Sequence, residues 1–371
     1  MEKIYLDYNA STPIAPEVID VMQPLLSDYY GNPSALHWAG EPVKDLLNIA
    51  RQQVARLIGC APKEIVFTSG GSEANNLALK GAYFKNQNNG KHIITSSIEH
   101  PAVMNPCSFL EKIGAKVTYV GVDKYGRVSA EEIEKMIQDD TVLISIMHSN
   151  NETGTIQPIE EIGRMAKKHG VLFHSDASQS VGKVPVNVKN LQVDMLTIAG
   201  HKLYAPKGIG ALYIREGVEV EPLIHGAGHE FGLRAGTENT LLAVGLGKAC
   251  EIAGQRLITD DIRVLTDYFW HRLKEAFGDR VVLNGHPEER LPNTLNVNFV
   301  GSIGQDLLSA IPNVAASTGS ACHAGSVELS PVLKEMGVSE NMGMGAIRFS
   351  LGRNTTKEEI DQVVDRIKKN F

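Results

Sequence analysis

Cysteine is scarce in this sequence, and the few cysteines present are far apart. They are Cys60, Cys107, Cys250 and Cys322 among 371 residues, and no two of them form a Cys-x-x-Cys pair. Disulfide frameworks occur in small secreted chains that are dense in cysteine, and zinc sites usually contain such pairs. We therefore expect no disulfide framework and no metal site, and each cysteine is considered as a separate thiol.

An excess of positive charge and a long apolar run are also missing. The formal net charge is −7 at pH 7, and no basic tract interleaved with aromatic residues occurs. This balance argues against direct binding to the phosphate backbone of a nucleic acid. No segment is long enough to span a bilayer, and residues 1–7 do not form a basic region followed by an apolar stretch. We expect a cytoplasmic protein that binds neither membranes nor nucleic acid.

Several familiar motifs are absent as well. The sequence contains no Gly-x-Gly-x-x-Gly and no Gly-x-x-x-x-Gly-Lys, and the pair His229-Glu230 lacks the second histidine of a zinc-protease helix. The first two motifs bind nucleotide phosphates, and the third binds catalytic zinc. Their absence weakens interpretations as a dehydrogenase, a kinase or a metalloprotease.

The residues that are present show a regular alternation of strands and helices. With 43% apolar and 21% charged residues, the composition is that of an ordinary globular protein. Short apolar runs alternate with amphipathic segments from about 16 to 254, which predicts a mostly parallel sheet covered on both faces. The predicted strands are 64–68, 92–96, 116–120, 142–147, 171–175, 195–199 and 210–214, and the helices between them are 42–58, 72–84, 101–113, 129–137 and 159–169.

The regular alternation of strands and helices ends at about residue 257. A helix over 260–277 is followed by strands near 281 and 295–299 and by helices near 304–311 and 357–369, which indicates a smaller α+β unit. We expect a large domain over 15–256 and a small domain made of 1–14 and 257–371. No flexible linker separates them, so the two domains should pack closely and bind a ligand at their junction.

A glycine turn precedes the second predicted helix. The stretch Thr68-Ser69-Gly70-Gly71-Ser72 leads from an apolar strand into this helix. The backbone N–H groups at a helix start, together with a serine hydroxyl, form a good cradle for a phosphate. The same residues also suit simple capping of the helix.

Three further polar residues follow predicted strands. His100 lies just before a helix opened by Pro101, where an imidazole could stack on a planar ligand or remain a surface group. Asp176 follows an apolar strand, and Gln179 comes three residues later. A carboxylate in apolar surroundings needs a cation or a donor, and a protonated pyridine nitrogen is one such partner. Capping of the following turn is the alternative for Asp176.

A lysine is presented at the end of the strand 195–199. Lys202 lies in a Gly-His-Lys corner, and a Gly/Pro-rich segment follows it. Burial there would lower the pKa of Lys202 and leave a neutral amine able to condense with a carbonyl, although a solvated turn lysine has the same local sequence. Taken with Ser72, His100, Asp176 and Gln179, this lysine matches the groups that bind pyridoxal 5′-phosphate (PLP).

Ordered motifs then connect the chain to a known family. The stretches are Tyr5-Leu6-Asp7-Tyr8-Asn9-Ala10-Ser11-Thr12-Pro13, Gly31-Asn32-Pro33-Ser34, Asn150-Asn151-Glu152-Thr153-Gly154, Gly200-His201-Lys202, Arg234-Ala235-Gly236-Thr237-Glu238-Asn239 and Ile347-Arg348-Phe349-Ser350-Leu351-Gly352-Arg353. In order and spacing, over nearly its whole length, the chain resembles the PLP-dependent cysteine desulfurases and selenocysteine lyases of the class V aminotransferase type. The resemblance implies the aspartate-aminotransferase-type fold and a homodimer.

The resemblance also implies a role for each site residue. Lys202 would bind PLP covalently, Asp176 would pair with its ring nitrogen, Gln179 would contact its ring hydroxyl, and His100 would stack on the ring. Asn151 would lie beside cofactor and substrate, and Arg348 would bind the substrate carboxylate. The phosphate would be held by Gly71, Ser72, His201 and, from the neighbouring subunit, Thr237.

Cys322 is the candidate nucleophile. It lies in the stretch 316–330, which is rich in small residues and indicates a mobile loop, whereas Cys60, Cys107 and Cys250 are interpreted as structural. The loop resembles the Ser-Ala-Cys segment of desulfurases, so Cys322 would carry a persulfide and act with Lys202 and His100. Two departures, His323 after the cysteine and Ala199 where many desulfurases have serine, resemble selenocysteine lyases instead.

The expected activity is therefore the PLP-dependent conversion of L-cysteine to L-alanine, with sulfur passed through Cys322 to an acceptor protein, for example in iron–sulfur cluster assembly. Selenocysteine lyase, acting on L-selenocysteine, is the close alternative. A class V aminotransferase and a non-catalytic protein that only shares the fold are the more distant alternatives.

Overall fold

The computed structural model describes residues 3–259, 262–318, 322–323 and 326–371. Its strands are β1 (Ile4–Tyr5), β2 (Ile65–Thr68), β3 (His92–Ser96), β4 (Lys116–Val120), β5 (Thr141–Ser145), β6 (Leu172–Asp176), β7 (Met195–Ala199), β8 (Gly210–Ile214), β9 (Val281–Asn284), β10 (Thr294–Phe299), β11 (Val314–Ala315), β12 (Cys322–His323), β13 (Ser326–Val327) and β14 (Ala346–Ser350).

The α-helices, in chain order, are α1 (Pro16–Met22), α2 (Glu41–Ile58), α3 (Gly71–Asn86), α4 (Pro101–Lys112), α5 (Ala130–Met136), α6 (Ile159–His169), α7 (Val188–Leu191), α8 (Thr240–Thr259), α9 (Ile262–Phe277), α10 (Gly304–Ala310), α11 (Pro331–Glu335), α12 (Glu340–Gly343) and α13 (Lys357–Asn370).

A seven-stranded sheet forms the centre of the larger part of the molecule. Its strand order is β2-β8-β7-β6-β5-β3-β4. Only β8 runs against its neighbours, and the other adjacent pairs are parallel. The predicted mostly parallel α/β fold is confirmed.

The central strands are buried on both faces, which explains their nearly continuous apolar sequences. Successive side chains of a strand point to opposite faces, and Ile93 and Ile94 of β3 accordingly join two different apolar clusters. Leu143 and Ile144 of β5 divide in the same way. Parallel sheets need such covering on both sides, and the helices supply it.

The sheet also brings together the ends of its strands. Because β3, β5, β6 and β7 are parallel, their carboxyl ends lie at one edge, which is where α/β sheets bind ligands. His100, Asp176 and Lys202 all lie at or just after these ends. The fold therefore places these three predicted site residues at one edge.

A smaller antiparallel sheet, with the order β14-β10-β9, packs with α9 and α13 around a separate apolar cluster. The start of the chain joins this cluster, because β1 pairs with β11 and both Ile4 and Leu6 are buried in it. The domain division into 15–256 and into 1–14 with 257–371 stays a prediction.

The sequence pattern missed two long elements, α8 and β14. Helix α8 contains Gly245, Gly247 and Gly254, which lower helix propensity. The tertiary structure explains one of these glycines, since a Cβ at Gly247 would lie 2.6 Å from Ala50 Cα on α2. Strand β14 lacks a clear alternation because all five of its residues are buried.

Membrane-spanning helices and metal-holding clusters are both absent from the described part of the chain. No helix in it combines the length and the apolar character that crossing a membrane requires. Within the same residues, no group of three or more His, Cys, Asp or Glu side chains is placed to hold a metal ion.

Candidate active site

A cavity of about 400 Å³ opens at the carboxyl edge of the central sheet. Its lining includes predicted residues from both parts of the molecule, namely Gly71, Ser72, His100, Asn151, Asp176, Gln179, His201, Lys202 and Arg348. Residues that the sequence pattern did not single out also line it, among them Asn9, Asn75 and Ser178. Residues that are separated by more than 300 positions thus share one cavity.

Lys202 ends a tight turn that follows β7. Its Nζ donates hydrogen bonds to the carbonyl oxygens of Asn9 at 2.5 Å and Ala10 at 2.9 Å. Burial lowers the pKa of Lys202 to about 8, and the nearby positive charge of Arg348 contributes to the lowering. A substantial fraction of the amine is therefore neutral near pH 8 and able to act as a nucleophile or a base.

Asp176, the last residue of β6, is buried and held by two donors. Asn75 Nδ2 donates to one carboxylate oxygen at 2.7 Å, and the backbone N–H of Ser178 donates to the other at 2.9 Å. These bonds fix the orientation of the carboxylate. Asn75 lies one turn into α3, and its buried Oδ1 has no hydrogen-bond partner among the residues that the structure describes.

The start of α3 forms one end of the cavity. Gly70 precedes the helix with φ +152°, and no side chain caps the first turn. The first-turn backbone N–H groups at Gly71 and Ser72 are therefore available to an anion, which the helix dipole also favours. His201 lines the same cavity, and burial together with Lys202 lowers its pKa to about 4, so the imidazole is neutral.

His100 caps the start of α4 through its ring. The backbone N–H of Ala102 donates to Nδ1 of His100 at 3.1 Å, which leaves the ring proton on Nε2 when the imidazole is neutral. Partial loss of water around the ring is the main cause of a lowered pKa for His100, although the residue stays exposed, and the charge of Lys202 acts in the same direction. A neutral ring suits stacking on a planar ligand.

Arg348 belongs to β14 of the smaller sheet and lines the cavity at the edge of the central sheet. It donates from Nη2 to Asp7 Oδ1 at 2.7 Å and from Nη1 to the carbonyl oxygen of Asn151 at 2.9 Å. Its Nε is buried, and no described part of the chain supplies a hydrogen-bond partner for it. Asp7 belongs to the opening motif, but no local signal in the sequence paired it with Arg348.

Asn9 connects several of these groups and was also missed. Its carbonyl oxygen accepts hydrogen bonds from both Lys202 and Gln179, the latter from Nε2 at 3.0 Å. Its side chain donates to Thr294 Oγ1 at 2.8 Å. A backbone carbonyl leaves no signature in the residue type, so the sequence alone could not assign this contact.

Two predicted residues are not placed in the cavity by the described chain. Thr237 is exposed and is not among the lining residues. Cys322 belongs to β12, which pairs antiparallel with β13, and its side chain is not among those that the structure describes. The roles predicted for both residues stay predictions.

The other cysteines are poor nucleophiles in this structure. Cys107 and Cys250 are buried, and Cys60 is partly buried. Burial raises the pKa of Cys60 and of Cys107 to about 12 and raises the pKa of Cys250 further. Since the thiolate is the reactive form, these thiols are unreactive near neutral pH.

The cavity contains the groups that are needed to bind PLP. It offers an amine of lowered pKa for the aldehyde, a fixed carboxylate for the ring nitrogen, an imidazole for the ring face and a helix start for the phosphate. Arg348 suits a substrate carboxylate, because its planar guanidinium can donate two parallel hydrogen bonds to one carboxylate.

Known proteins resemble this chain over nearly its whole length. A family model described as Aminotransferase class-V matches residues 4–363. A cysteine desulfurase IscS of Dictyoglomus turgidum is 46% identical, and the match covers 99% of this chain and 94% of that protein. A solved structure named NIFS-LIKE PROTEIN has a TM-score of 0.93 and 37% identity, with 99% of each chain covered. Another, SspA in complex with cysteine, has a TM-score of 0.85 and 42% identity over 94% of this chain and 98% of that one.

Proposed function

The chain belongs to the aminotransferase class-V family and, within it, to the cysteine desulfurases, and on that premise we propose which of its residues remove sulfur from L-cysteine. The enzyme is PLP-dependent and has the fold of the NifS-like proteins. The observation that carries the residue assignment is the single cavity in which Lys202, Asp176 and Arg348 meet.

Seven residues of the cavity would hold the cofactor. Lys202 would bind it covalently, Asp176 would face its ring nitrogen, Gln179 its ring hydroxyl and His100 its ring face, while Ser72 and His201 would join the Gly71 backbone at its phosphate. When bound, PLP supplies an electron sink that stabilises negative charge at the substrate's α-carbon. The chain itself supplies the groups that bind the substrate and move its protons.

Lys202 would be the base. Its amine has a pKa of about 8 and is already positioned by the carbonyl oxygens of Asn9 and Ala10. Once released from the cofactor, Nζ would accept the α-proton of the substrate and return a proton later. Arg348 would bind the substrate carboxylate, with Asn151 beside it, and Asp7 would keep the guanidinium in place.

Cys322 would receive the sulfur. Its thiolate would attack the sulfur of the substrate, so that an S–S bond forms as the substrate's Cβ–S bond breaks. The electron pair of the broken bond stays on the carbon skeleton, which leaves as L-alanine after protonation. The product on the enzyme is a Cys322 persulfide, which an acceptor protein would then take up.

Incubation with L-cysteine without oxygen tests these assignments. Mass analysis of the Cys322 peptide is expected to show one added sulfur, and Cys322→Ser is expected to abolish alanine formation while keeping the bound cofactor. Cys60→Ser is the matched control, because this thiol is unreactive near neutral pH. Full turnover by Cys322→Ser would instead favour an aminotransferase activity, and absence of any cofactor trapped on Lys202 by borohydride would favour a non-catalytic protein.

Selenocysteine lyase is a second candidate because of Ala199. This residue lines the cavity and offers no hydroxyl to a phosphate. Rates measured side by side with L-cysteine and L-selenocysteine separate the two activities. Desulfurase activity predicts persulfide on Cys322 and turnover of L-cysteine, whereas turnover of L-selenocysteine alone would favour the lyase.

The working form would be a homodimer in which Thr237 of the partner subunit completes the phosphate site. The segment 26–38 exposes large apolar side chains, with Tyr30 72%, Leu36 86% and Trp38 78% exposed. Exposed apolar patches of this kind mark interaction surfaces.

Light scattering tests the dimer. Leu36→Glu combined with Trp38→Glu is expected to give a monomer with weakened cofactor binding, while Ile113→Glu, at a 48% exposed position elsewhere, should leave the dimer intact. A monomeric wild-type enzyme with full activity would contradict the proposal.

We also propose that the enzyme works in the cytoplasm, in contact with its sulfur-accepting protein. Cys60, Cys107 and Cys250 are free thiols. Thiols persist in the reducing cytoplasm, and a thiol nucleophile depends on such conditions. Fractionation of cells that produce the tagged enzyme, followed by crosslinking of the persulfide form to bound proteins, tests both statements.

A further inference from the structure

Lys183 lies behind the candidate active site and contacts two of its residues. Its Nζ donates to Gln179 Oε1 at 2.9 Å and to Asn9 Oδ1 at 2.9 Å. Lys183 also lines a second cavity of about 450 Å³, which shares Lys202 with the first. No role has so far been given to Lys183 in the reaction.

The contact with Lys183 determines which way the Gln179 amide faces. The Lys183 ammonium has only N–H donors, and a neutral amine would use its two N–H groups on Asn9 Oδ1 and Gln179 Oε1, so the atom of Gln179 that meets Nζ is the amide oxygen. The amide nitrogen then faces the other way, where Nε2 donates one hydrogen to the Asn9 carbonyl at 3.0 Å. No partner for its second hydrogen is present among the described residues, and Gln179 lines the active-site cavity.

The two Lys183 contacts do not depend on its charge. Burial, with the like charges of Lys202 and Arg348, lowers the pKa of Lys183 well below its ordinary value. Both the ammonium and the neutral amine have at least two N–H groups, which are enough for the two amide oxygens. Within the described residues, no carboxylate forms an ion pair with Lys183, so its partners are neutral.

We propose that Lys183 is a positioning residue that holds the Gln179 amide in the orientation that presents an N–H to the ring hydroxyl of PLP. This inference rests on the proposed role of Gln179. An N–H donated to the ring oxygen stabilises the negative charge left there when the bound chromophore loses its proton. Loss of the donor therefore makes that proton harder to remove.

The pH midpoint of the visible absorption of the holoenzyme measures this effect. Lys183→Met is expected to raise the midpoint by about one pH unit, the size of one hydrogen bond to a charged group. Gln179→Leu is expected to raise it by a similar amount. In the double variant the midpoint should equal that of Gln179→Leu alone, because Lys183 acts through Gln179.

Two further variants separate orientation from other effects. Lys183→Arg keeps the donors and has room beside the second cavity, so it is expected to keep the wild-type midpoint. Lys189→Met removes an exposed lysine of the same part of the chain and serves as the matched control.

Three results would overturn the inference alone. They are an unchanged midpoint in Lys183→Met, a Lys183→Met shift that persists in the Gln179→Leu background, and a Lys183→Arg midpoint shifted as far as that of Lys183→Met. An unchanged midpoint in Gln179→Leu would remove the proposed role of Gln179 and this inference with it. A wild-type chain that forms no visible band with PLP would overturn the proposed function as a whole.

Discussion

Single residues in this enzyme obtain their reactivity from the loss of water around them. Lys202 has a pKa of about 8 because burial removes hydration from its ammonium group. The same cause lowers the pKa of His201 to about 4 and raises that of Cys60 to about 12. Burial therefore leaves the amine of Lys202 reactive and makes three thiols inert.

The lowered pKa of Lys202 predicts a pH-dependent stability of the cofactor-free enzyme. Between pH 8 and about 10.5 the unfolded chain keeps a proton on this lysine that the folded chain has lost. Folded wild type should therefore gain stability relative to Lys202→Met as the pH rises through this range, by up to about 3 kcal/mol.

Urea unfolding at pH 7, 8, 9 and 10 measures the gain, and Lys207→Met, at an exposed position nearby, is the matched control. A difference between wild type and Lys202→Met that stays constant with pH would contradict the assigned pKa.

A hydroxyl at position 199 should strengthen cofactor binding. Ala199 lines the cavity, and its Cβ lies 3.2 Å from the place where a Cβ on Gly71 would be. Ala199→Ser would add a donor beside the start of α3, and one such hydrogen bond corresponds to roughly a fivefold to tenfold lower Kd for PLP.

Fluorescence titration of the cofactor-free enzyme measures this Kd. Ala102→Ser adds a hydroxyl to the same cavity next to His100 and is expected to change the Kd little. Equal Kd values for Ala199→Ser and wild type would show that position 199 does not face the phosphate.

Among the elements, the connection from β2 to α3 has the strictest backbone requirement. Gly70 has φ +152°, a conformation that side chains with a Cβ rarely adopt. Gly210 of β8 packs directly against it, since a Cβ there would lie 2.7 Å from the Gly70 carbonyl carbon. The two glycines allow β8 to lie close to the turn that presents the first N–H groups of α3.

Gly70→Ala should therefore weaken both folding and cofactor binding. The strain of the unfavourable φ corresponds to about 1–2 kcal/mol in the free energy of unfolding, and relief of that strain would move the N–H groups away from the phosphate. Gly121→Ala is the control, because a Cβ at Gly121 meets no atom within 4 Å and its φ is not in the restricted range. Denaturant unfolding and PLP titration measure the two effects, and equal behaviour of both variants would contradict the prediction.

At the scale of the whole molecule, segments distant in sequence depend on one another. The opening segment supplies Asp7 to Arg348 and the Asn9 carbonyl to Lys202. The loop that contains Thr237 is attached to the large core by a buried pair, in which Arg51 on α2 binds Glu230 at 2.7 Å. Glu230 also accepts the backbone N–H of Phe67 at 2.7 Å, so the loop, α2 and β2 are connected.

Removing one member of this buried pair should be costly. Arg51→Met leaves Glu230 buried without its cation, which is expected to lower the free energy of unfolding by about 3–5 kcal/mol. Lys63→Met breaks an exposed pair with Glu216 and should cost no more than about 1 kcal/mol. Denaturant unfolding measures both, and similar losses in the two variants would show that the buried pair does not anchor the loop.

The sequence by itself determined the class of fold and most of its elements. Predicted and observed strands agree within one or two residues, because buried parallel strands are short apolar runs bounded by turn residues. The order of the motifs was sufficient to recognise the family, and the types of residue at strand ends were sufficient to indicate PLP. Helix α8 was missed because its three glycines lower helix propensity, and only the packed structure shows that Gly247 allows close contact with α2.

Only the tertiary structure decided how the site is supported. The supporting contacts join segments up to 341 residues apart. The backbone carbonyl of Asn9 holds Lys202. The side chains of Asn75, Asp7 and Lys183 hold those of Asp176, Arg348 and Gln179, respectively. The types of residue and their spacing in the sequence indicate which chemistry a chain can perform. They do not record which distant groups meet, because that depends on how buried donors and acceptors satisfy one another once the chain has packed.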